Sequence, residues 1–331
     1  VMAFCNSTPD QAHFGRSEIV CNTKVTVIDQ PINVLELARN IAEGKSREKN
    51  DEAIMITNLD AVYERLKLWT RELPNIEPFY AVKCNSDETI LRALAALGVG
   101  FDCASKEEID AVTRLGVAGD RIIYANPYKS SPFIEHADAK GVRMLTFDCV
   151  EELEKIAAHH KNAELLLRFA VSDPTAANPL SGKFGADPET TSLELLKRAE
   201  DLGVKIAGVS FHVGSGCNDP SIFRKALQYA RDLVDYGISL GHKMQIVDIG
   251  GGFPGSEKQD ASFVKMASII RLAIDELFPE PNVRLIAEPG RFVVTRPCTL
   301  VVNVVARKAE LVKNGAATST HMHYYVNDGV Y

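Results

Sequence analysis

The chain has 331 residues, 46% of them hydrophobic and 24% charged, with a net charge of −7 at pH 7. Such a chain can bury a large core. Its acidic balance argues against a nucleic-acid binder, whose affinity comes from clustered Lys and Arg, and no window approaches the ~18 apolar residues of a membrane span. Seven cysteines, an odd number without a Cys-x-x-Cys pair, read as reduced thiols in the cytoplasm. The N-terminus lacks the basic and apolar regions of a signal peptide. The chain starts at Val1 and stops at Tyr331 inside a strand-like run, so it reads as a fragment.

In chain order, residues 19–30 look strand-like, and Asn33–Lys49 reads as a connecting helix. From about residue 53 to 291, apolar β-rich runs alternate with helical patterns. The runs are Pro78–Lys83, Gly100–Ala104, Arg121–Ala125, Arg143–Phe147, Glu164–Ala170, Lys205–Val213, Gln245–Ile249 and Arg284–Ala287. Buried parallel strands are near-continuously apolar, as Leu165-Leu166-Leu167 is. Ser105-Lys106-Glu107-Glu108 and Asp148-Cys149-Val150-Glu151 match capping boxes, and Asp219-Pro220 reads as a cap before a first-turn proline. Leu97-Gly98-Val99, Leu115-Gly116-Val117, Lys140-Gly141-Val142 and Leu202-Gly203-Val204 repeat a helix exit in which glycine takes the left-handed cap. Eight strand–helix units favour an α/β fold of the (β/α)8 TIM-barrel type over a doubly wound sheet. After Arg291, Cys298–Val305 is β-rich, a turn region around Gly315 follows, and His323–Tyr331 resumes strand character. The expected organisation is residues 1–45 as a strand and linker contributing to a β domain, 46–292 as the barrel, and 293–331 as an incomplete antiparallel β domain.

In such a barrel the chemistry lies at the C-terminal ends of the strands. Gly250, Gly251 and Gly252 follow the seventh strand, where backbone N–H groups approach an anion closely. A tight turn explains a glycine triplet as well. Its placement, with Arg291 past strand eight and Ser215 after strand six, favours a phosphate site. Lys83 ends the first strand, where burial should lower its pKa as a nucleophilic amine needs; a lysine snorkelling to the rim is the plainer alternative. Glu288 ends strand eight, followed by Pro289 and Gly290. It would suit a pyridine nitrogen, or else a salt bridge to Arg291. His212 could lie against a ring, although a lone histidine is more often simply buried. Asp102 and Arg168 read most plainly as an internal salt bridge, and Glu108 as a capping carboxylate. His321 and His323 share a strand face, but no third ligand is evident, so no metal site is expected. Phosphate site, amine and carboxylate together describe pyridoxal phosphate, while a class I aldolase stays open on chemistry alone.

The residues then resemble a known family. Pro78-Phe79-Tyr80-Ala81-Val82-Lys83-Cys84-Asn85, Phe101–Ser105, His212-Val213-Gly214-Ser215-Gly216, Asp248–Gly255 and Glu288-Pro289-Gly290-Arg291 are similar, in order, to the motifs of the ornithine decarboxylase family, fold-type III pyridoxal-phosphate decarboxylases with an alanine racemase-like barrel. The likeness covers roughly residues 19 to 331. It implies Lys83 as the Schiff-base lysine and His212 stacked on the pyridine ring. Glu288 would sit at the ring nitrogen, Ser215, Gly250–Gly252 and Arg291 at the phosphate, and Asp102 and Arg168 near the Schiff base. It also implies a small amino-acid substrate, a homodimer with shared active sites, and an antizyme-type regulator. Lys183, in Ser181-Gly182-Lys183-Phe184-Gly185, matches a family interface lysine. The family's proton-donating cysteine and its acidic readers of the substrate's distal amine lie past the position of Tyr331. Little activity is therefore expected of the chain as written. Ornithine ranks first as substrate; lysine, arginine or diaminopimelate decarboxylases and a non-catalytic antizyme-inhibitor-like homologue are the rivals. The non-catalytic homologues have lost the aspartate and arginine that match Asp102 and Arg168.

Overall fold

The computed structural model describes residues 2–5, 16–20, 22–30, 33–171, 183–217, 219–314 and 317–329. The expected turn at Gly315, the last strand residues Val330 and Tyr331, and Ser181-Gly182 before Lys183 lie outside the described residues. The chain divides into two compact units, Val1–Ala61 with Arg296–Tyr331, and Val62–Thr295.

In chain order the elements begin with β1 (Met2–Cys5), β2 (Arg16–Val20), β3 (Thr23–Val27), α1 (Val34–Arg47), β4 (Ile54–Asn58) and α2 (Leu59–Glu72). The barrel follows: β5 (Glu77–Ala81), α3 (Glu88–Ala96), β6 (Gly100–Cys103), α4 (Lys106–Thr113), β7 (Ile122–Tyr124), α5 (Ser131–Ala139), β8 (Met144–Phe147) and α6 (Val150–His159). It continues with β9 (Glu164–Arg168), α7 (Thr191–Asp201), β10 (Ile206–Ser210), α8 (Ser221–Ser239), β11 (Ile246–Asp248), α9 (Asp260–Leu277), β12 (Arg284–Ala287) and α10 (Arg291–Val294). The last strands are β13 (Cys298–Val301), β14 (Val304–Asn314) and β15 (Ala317–Val326).

In the first unit an antiparallel sheet runs in the order β13-β4-β1-β3-β2, and β14 pairs with β15 as a separate hairpin. Strand β4 was not anticipated. Its Ile54 and Ile56 pack with Leu37 and Ala38 of α1, so this five-residue strand, apolar over Ile54–Ile56, pairs antiparallel instead of joining the barrel. Asn33 starts α1 as expected, its side chain accepting from Leu35 N–H at 2.9 Å. In the hairpin His323 Nε2 lies 3.0 Å from Glu310.

The second unit is a closed barrel in the order β10-β11-β12-β5-β6-β7-β8-β9, every pair parallel. All eight expected strands are present. Gly98, Gly116, Gly141 and Gly203 take φ of 81°, 85°, 72° and 68° at the helix exits, where a Cβ would strain the turn. The caps differ in detail. Ser105 Oγ accepts from Glu108 N–H at 3.2 Å, but Glu108 reaches back to Ala104 N–H at 2.6 Å, one residue earlier than a regular box. Asp148 accepts from Gly185 N–H at 2.8 Å rather than capping α6. Helix α8 begins at Ser221, whose N–H is held by Asp219 at 3.0 Å, so Pro220 is the cap and not the first helical residue.

The barrel interior is layered. Phe79, Ile123, Met144, Leu166, Ala207, Ile246 and Ile286 form its buried apolar waist; truncating one such residue to alanine costs roughly 2–5 kcal/mol. Below the waist, Glu77 grips Arg284 through two bonds of 2.7 and 3.0 Å, beside the Phe79 ring. Above it, the chemistry changes.

Candidate active site

Side chains alternate along a strand, so the residue two positions after each waist residue also faces inward. Leu166 is followed in this way by Arg168, Ile246 by Asp248 and Ile286 by Glu288. Asp102 registers beside Ala81, two beyond Phe79, and Ser210 registers between Arg168 and Asp248. Three carboxyls, a guanidinium and a hydroxyl thus crown the waist at the C-terminal end of the strands, where the sequence places the site. Asp248 and Ser210 were not singled out as site residues beforehand. The two-residue step from Ile246 to Asp248 is the signal that marks the first.

Lys83 lies just past β5, in a one-turn 3-10 helix, Val82–Cys84, and not in the strand. Its Nζ donates to Asp102 Oδ2 at 2.6 Å; the lysine side chain is 51% exposed, the aspartate 0%. Asp102 therefore forms its ion pair with Lys83, while Arg168 donates to the Ala125 carbonyl at 3.4 Å and lies over the Phe184 ring. The expected fall in the Lys83 pKa is also overturned. Burial does push it down, but the charges of Asp102 and Glu288 and the bond to Asp102 outweigh burial and hold the amine charged. Asp102 Oδ1 is buried without a hydrogen-bond partner among the described residues.

Glu288 and Asp248 form a carboxyl pair. Burial first, then the charges of Asp102 and Asp248, push Glu288 well above the carboxylate range. Burial likewise lifts Asp248, to about 7, although Gly250 N–H and the Glu288 carboxyl both bond to it. No N–H or hydroxyl donor among the described residues reaches Asp248 Oδ2. Burial and mutual repulsion disfavour a charge on both neighbouring carboxyls, so the pair favours keeping one proton. His212, two residues past β10, is held neutral: burial, then the charges of Arg168 and Lys83, lower its pKa to about 3. Its Nδ1 accepts from Gly214 N–H at 2.9 Å, which leaves the proton on Nε2.

The loops above these residues interlock. A Cβ at Gly251 would stand 2.8 Å from His212 Nε2 and 2.9 Å from the Glu288 carbonyl, and one at Gly252 would meet Gly214 O at 2.8 Å. Gly250 and Gly252 also take φ of 63° and 110°. Ser215 adjoins Gly214, Arg291 is exposed beside Gly290, and a Cβ at Gly290 would press on Cys84 Sγ at 2.8 Å. The loops that follow β5, β10, β11 and β12 are therefore in mutual contact, bringing Lys83, His212, Ser215, Gly250–Gly252, Glu288, Pro289, Gly290 and Arg291 to one mouth. An anchor beneath them went unread in the sequence. Buried Arg65 of α2 donates to Phe292 O at 2.9 Å and Pro254 O at 3.4 Å and pairs with Asp260 at 2.6 Å. The Phe292 and Phe253 rings clamp Trp69 at 5.4 and 4.8 Å. Glycine loop and Arg291 turn are thereby fastened to one aromatic block.

Glu108, whose sequence role is capping, does that work, and Lys183 is exposed beside Phe184. Among the described residues no cluster of His, Cys, Asp and Glu suits a metal ion, and no helix is long and apolar enough to cross a membrane.

Comparison with known proteins shows the family. Residues 59–295 match the pyridoxal-binding domain of the pyridoxal-dependent decarboxylases, and the chain belongs to that family. It is 52% identical over 319 residues to the ornithine decarboxylase of Caenorhabditis elegans, covering 95% of this chain and 75% of that one. It is 42% identical to antizyme inhibitor 2 of Xenopus laevis, covering 92% of this chain and 68% of that one. Among solved structures, the agmatine-bound arginine decarboxylase of Paramecium bursaria Chlorella virus superposes with a TM-score of 0.81 at 35% identity, over 88% of this chain and 76% of that one. The protein is a pyridoxal-phosphate-dependent amino-acid decarboxylase.

Proposed function

We propose that this protein converts L-ornithine to putrescine and CO2, with Lys83 as the cofactor-bearing amine. The observation that carries the reading is the 2.6 Å contact of the half-exposed Lys83 amine with fully buried Asp102, beside the Glu288–Asp248 pair. The residues fit pyridoxal phosphate. The unpartnered Asp102 Oδ1 and the proton-sharing pair form a buried acceptor set that a cationic ring would satisfy. At Gly250, Gly251 and Gly252 a side chain would collide with Phe211, His212, Glu288 and Val213, so the loop is bare backbone that an anion could approach closely.

When bound, the cofactor supplies the electron sink that accepts the pair left behind as CO2 departs. The rest falls to the chain. Lys83 would anchor the aldehyde carbon, and Asp102 would take up and return its proton. Glu288 would hold the ring nitrogen protonated, and neutral His212 would pack on the ring face without adding a competing charge. Ser215, Gly250, Gly251, Gly252 and Arg291 would grip the phosphate, Pro289 and Gly290 shaping the turn that carries Arg291. Arg168 would offset negative charge near the reacting carbon.

Ornithine is preferred because identity to the nematode ornithine decarboxylase is 52%, against 35% for the viral arginine enzyme. The 42% identity to antizyme inhibitor 2 supports a second reading, a non-catalytic homologue with an antizyme-type regulator; the presence of Asp102 and Arg168 favours the enzyme. A homodimer with shared active sites and a cytoplasmic location complete the proposal, with Cys84, Cys103 and Cys149 being free thiols. CO2 release from ornithine, lysine and arginine, measured on the chain extended to the full length of its relatives, decides the substrate. Ornithine should give the highest kcat/KM by at least ~10-fold. A preference for lysine or arginine overturns the substrate, and cofactor binding without turnover of any of them favours the non-catalytic reading.

A further inference from the structure

We propose that Asp248 is a positioning residue that locks the carboxyl of Glu288 to the glycine loop, so that the two ends of the cofactor site are held by one side chain. The inference rests on the cofactor reading above and deepens it.

The geometry runs through both oxygens of a completely buried carboxyl. Asp248 Oδ1 accepts from Gly250 N–H at 2.8 Å. Its other oxygen is buried with no hydrogen-bond partner among the described residues, and the Glu288 carboxyl is the neighbouring acid that acts on it. The backbone closes the same ring: Glu288 N–H donates to Gly250 O at 2.7 Å, and Ile249 N–H to Ile286 O at 2.9 Å. A displacement of Glu288 therefore moves the loop that faces the phosphate, and the reverse. The charged groups turned toward the pair are Asp102 from β6, Arg168 from β9 and Lys83 beyond β5, with neutral His212 one loop above.

One proton balances the arrangement. In the unloaded site Glu288 is the donor and Asp248 the charged acceptor. When a cationic ring nitrogen donates to Glu288, the proton between the carboxyls moves to Asp248, which becomes a neutral donor supporting an ionised Glu288. No proton enters or leaves the site, and the pair keeps one negative charge. An asparagine reproduces the loaded form: its carbonyl accepts from Gly250 N–H and its amide donates to Glu288. Alanine breaks both bonds.

The test compares the protein with Asp248→Asn and Asp248→Ala. Three readouts are taken: the dissociation constant for pyridoxal phosphate, kcat per bound cofactor, and the melting temperature of the cofactor-free protein from pH 5 to 9. A hydrogen bond to a charged group sets the scale, so D248A should lose ~10- to 100-fold in kcat per bound cofactor and bind it more weakly. D248N should recover most of that loss. Because the Asp248 pKa is raised to about 7 from an ordinary 3.8, its contribution to stability is present at low pH and lost as pH rises through about 7. That decline should be shallower in D248N. If D248N is as impaired as D248A, or if D248A keeps kcat and only melts earlier, the positioning role is wrong. If the unsubstituted protein fails to bind pyridoxal phosphate, the cofactor reading falls first and this inference with it.

Discussion

Two lysines stand beyond the C-terminal ends of barrel strands, Lys83 after β5 and Lys129 after β7, in opposite surroundings. Lys129 is 0% exposed and meets three oxygens, the carbonyls of Asn126 at 2.8 Å and Thr146 at 2.7 Å and the carboxylate of Glu152 at 2.9 Å. Burial dominates there and lowers its pKa to about 8 despite Glu152. Lys83 is half exposed, has one carboxylate at 2.6 Å, and is held charged. Judged by pKa alone, Lys129 would be the better nucleophile. Access reverses the order, because an amine that donates to two carbonyls and pairs with Glu152 inside the protein is out of reach of an incoming aldehyde. Lys83 needs only to hand one proton to Asp102.

Substitution of the two lysines should separate them most widely. Lys83→Ala should abolish decarboxylation, by ~1,000-fold or more, with the fold intact. Lys129→Met should leave kcat per bound cofactor nearly unchanged and lower unfolding free energy by roughly 3 kcal/mol, the cost of removing one partner of a buried ion pair. Denaturant melts and steady-state assays on both variants check this. The reverse pattern would make Lys129 the reactive group. Next in size, Glu288→Gln should reduce kcat by ~100-fold while the phosphate contacts keep cofactor affinity close to normal. A variant that keeps kcat but releases cofactor would reduce Glu288 to a structural part.

How much of this was readable beforehand follows from periodicity. Runs such as Leu165-Leu166-Leu167, and helix exits such as Leu202-Gly203-Val204, announced the barrel because a parallel strand buried on both faces has one pattern. Lys83, His212, Ser215, Gly250–Gly252, Glu288 and Arg291 stood at strand ends, and the structure brings them to one mouth. Strand β4 escaped because Ile54–Asn58 is as apolar as a barrel strand; only pairing shows that it joins the antiparallel sheet. Arg65 escaped because its partners, Pro254, Asp260 and Phe292, are some 190 to 230 residues distant in sequence. Burial alone would lower the Lys83 pKa; the two carboxyls that the fold sets beside the amine reverse the direction, and neither is its neighbour in sequence.

Smaller effects sharpen the comparison. Asp102→Asn removes the largest influence raising the Lys83 pKa, so the pH at which the amine reacts with pyridoxal phosphate should move down. Cofactor uptake rates measured between pH 6 and 9 would show it, and an unchanged profile would remove Asp102 from control of the amine. Smaller still is the effect at His212. A folded value of about 3 against an ordinary 6.5 means that its contribution to stability is complete above about 6.5 and is lost as pH falls toward 3. Imidazole resonances that do not titrate between pH 5 and 8 would agree; a His212 transition near pH 6.5 would not.

The central claim is that Lys83, and not the lower-pKa Lys129, carries the cofactor. Borohydride reduction of the pyridoxal-phosphate-loaded protein, followed by peptide mapping, tests it most directly. The label should appear on the peptide containing Lys83. Label on Lys129, or on Lys106 or Lys183, would contradict it.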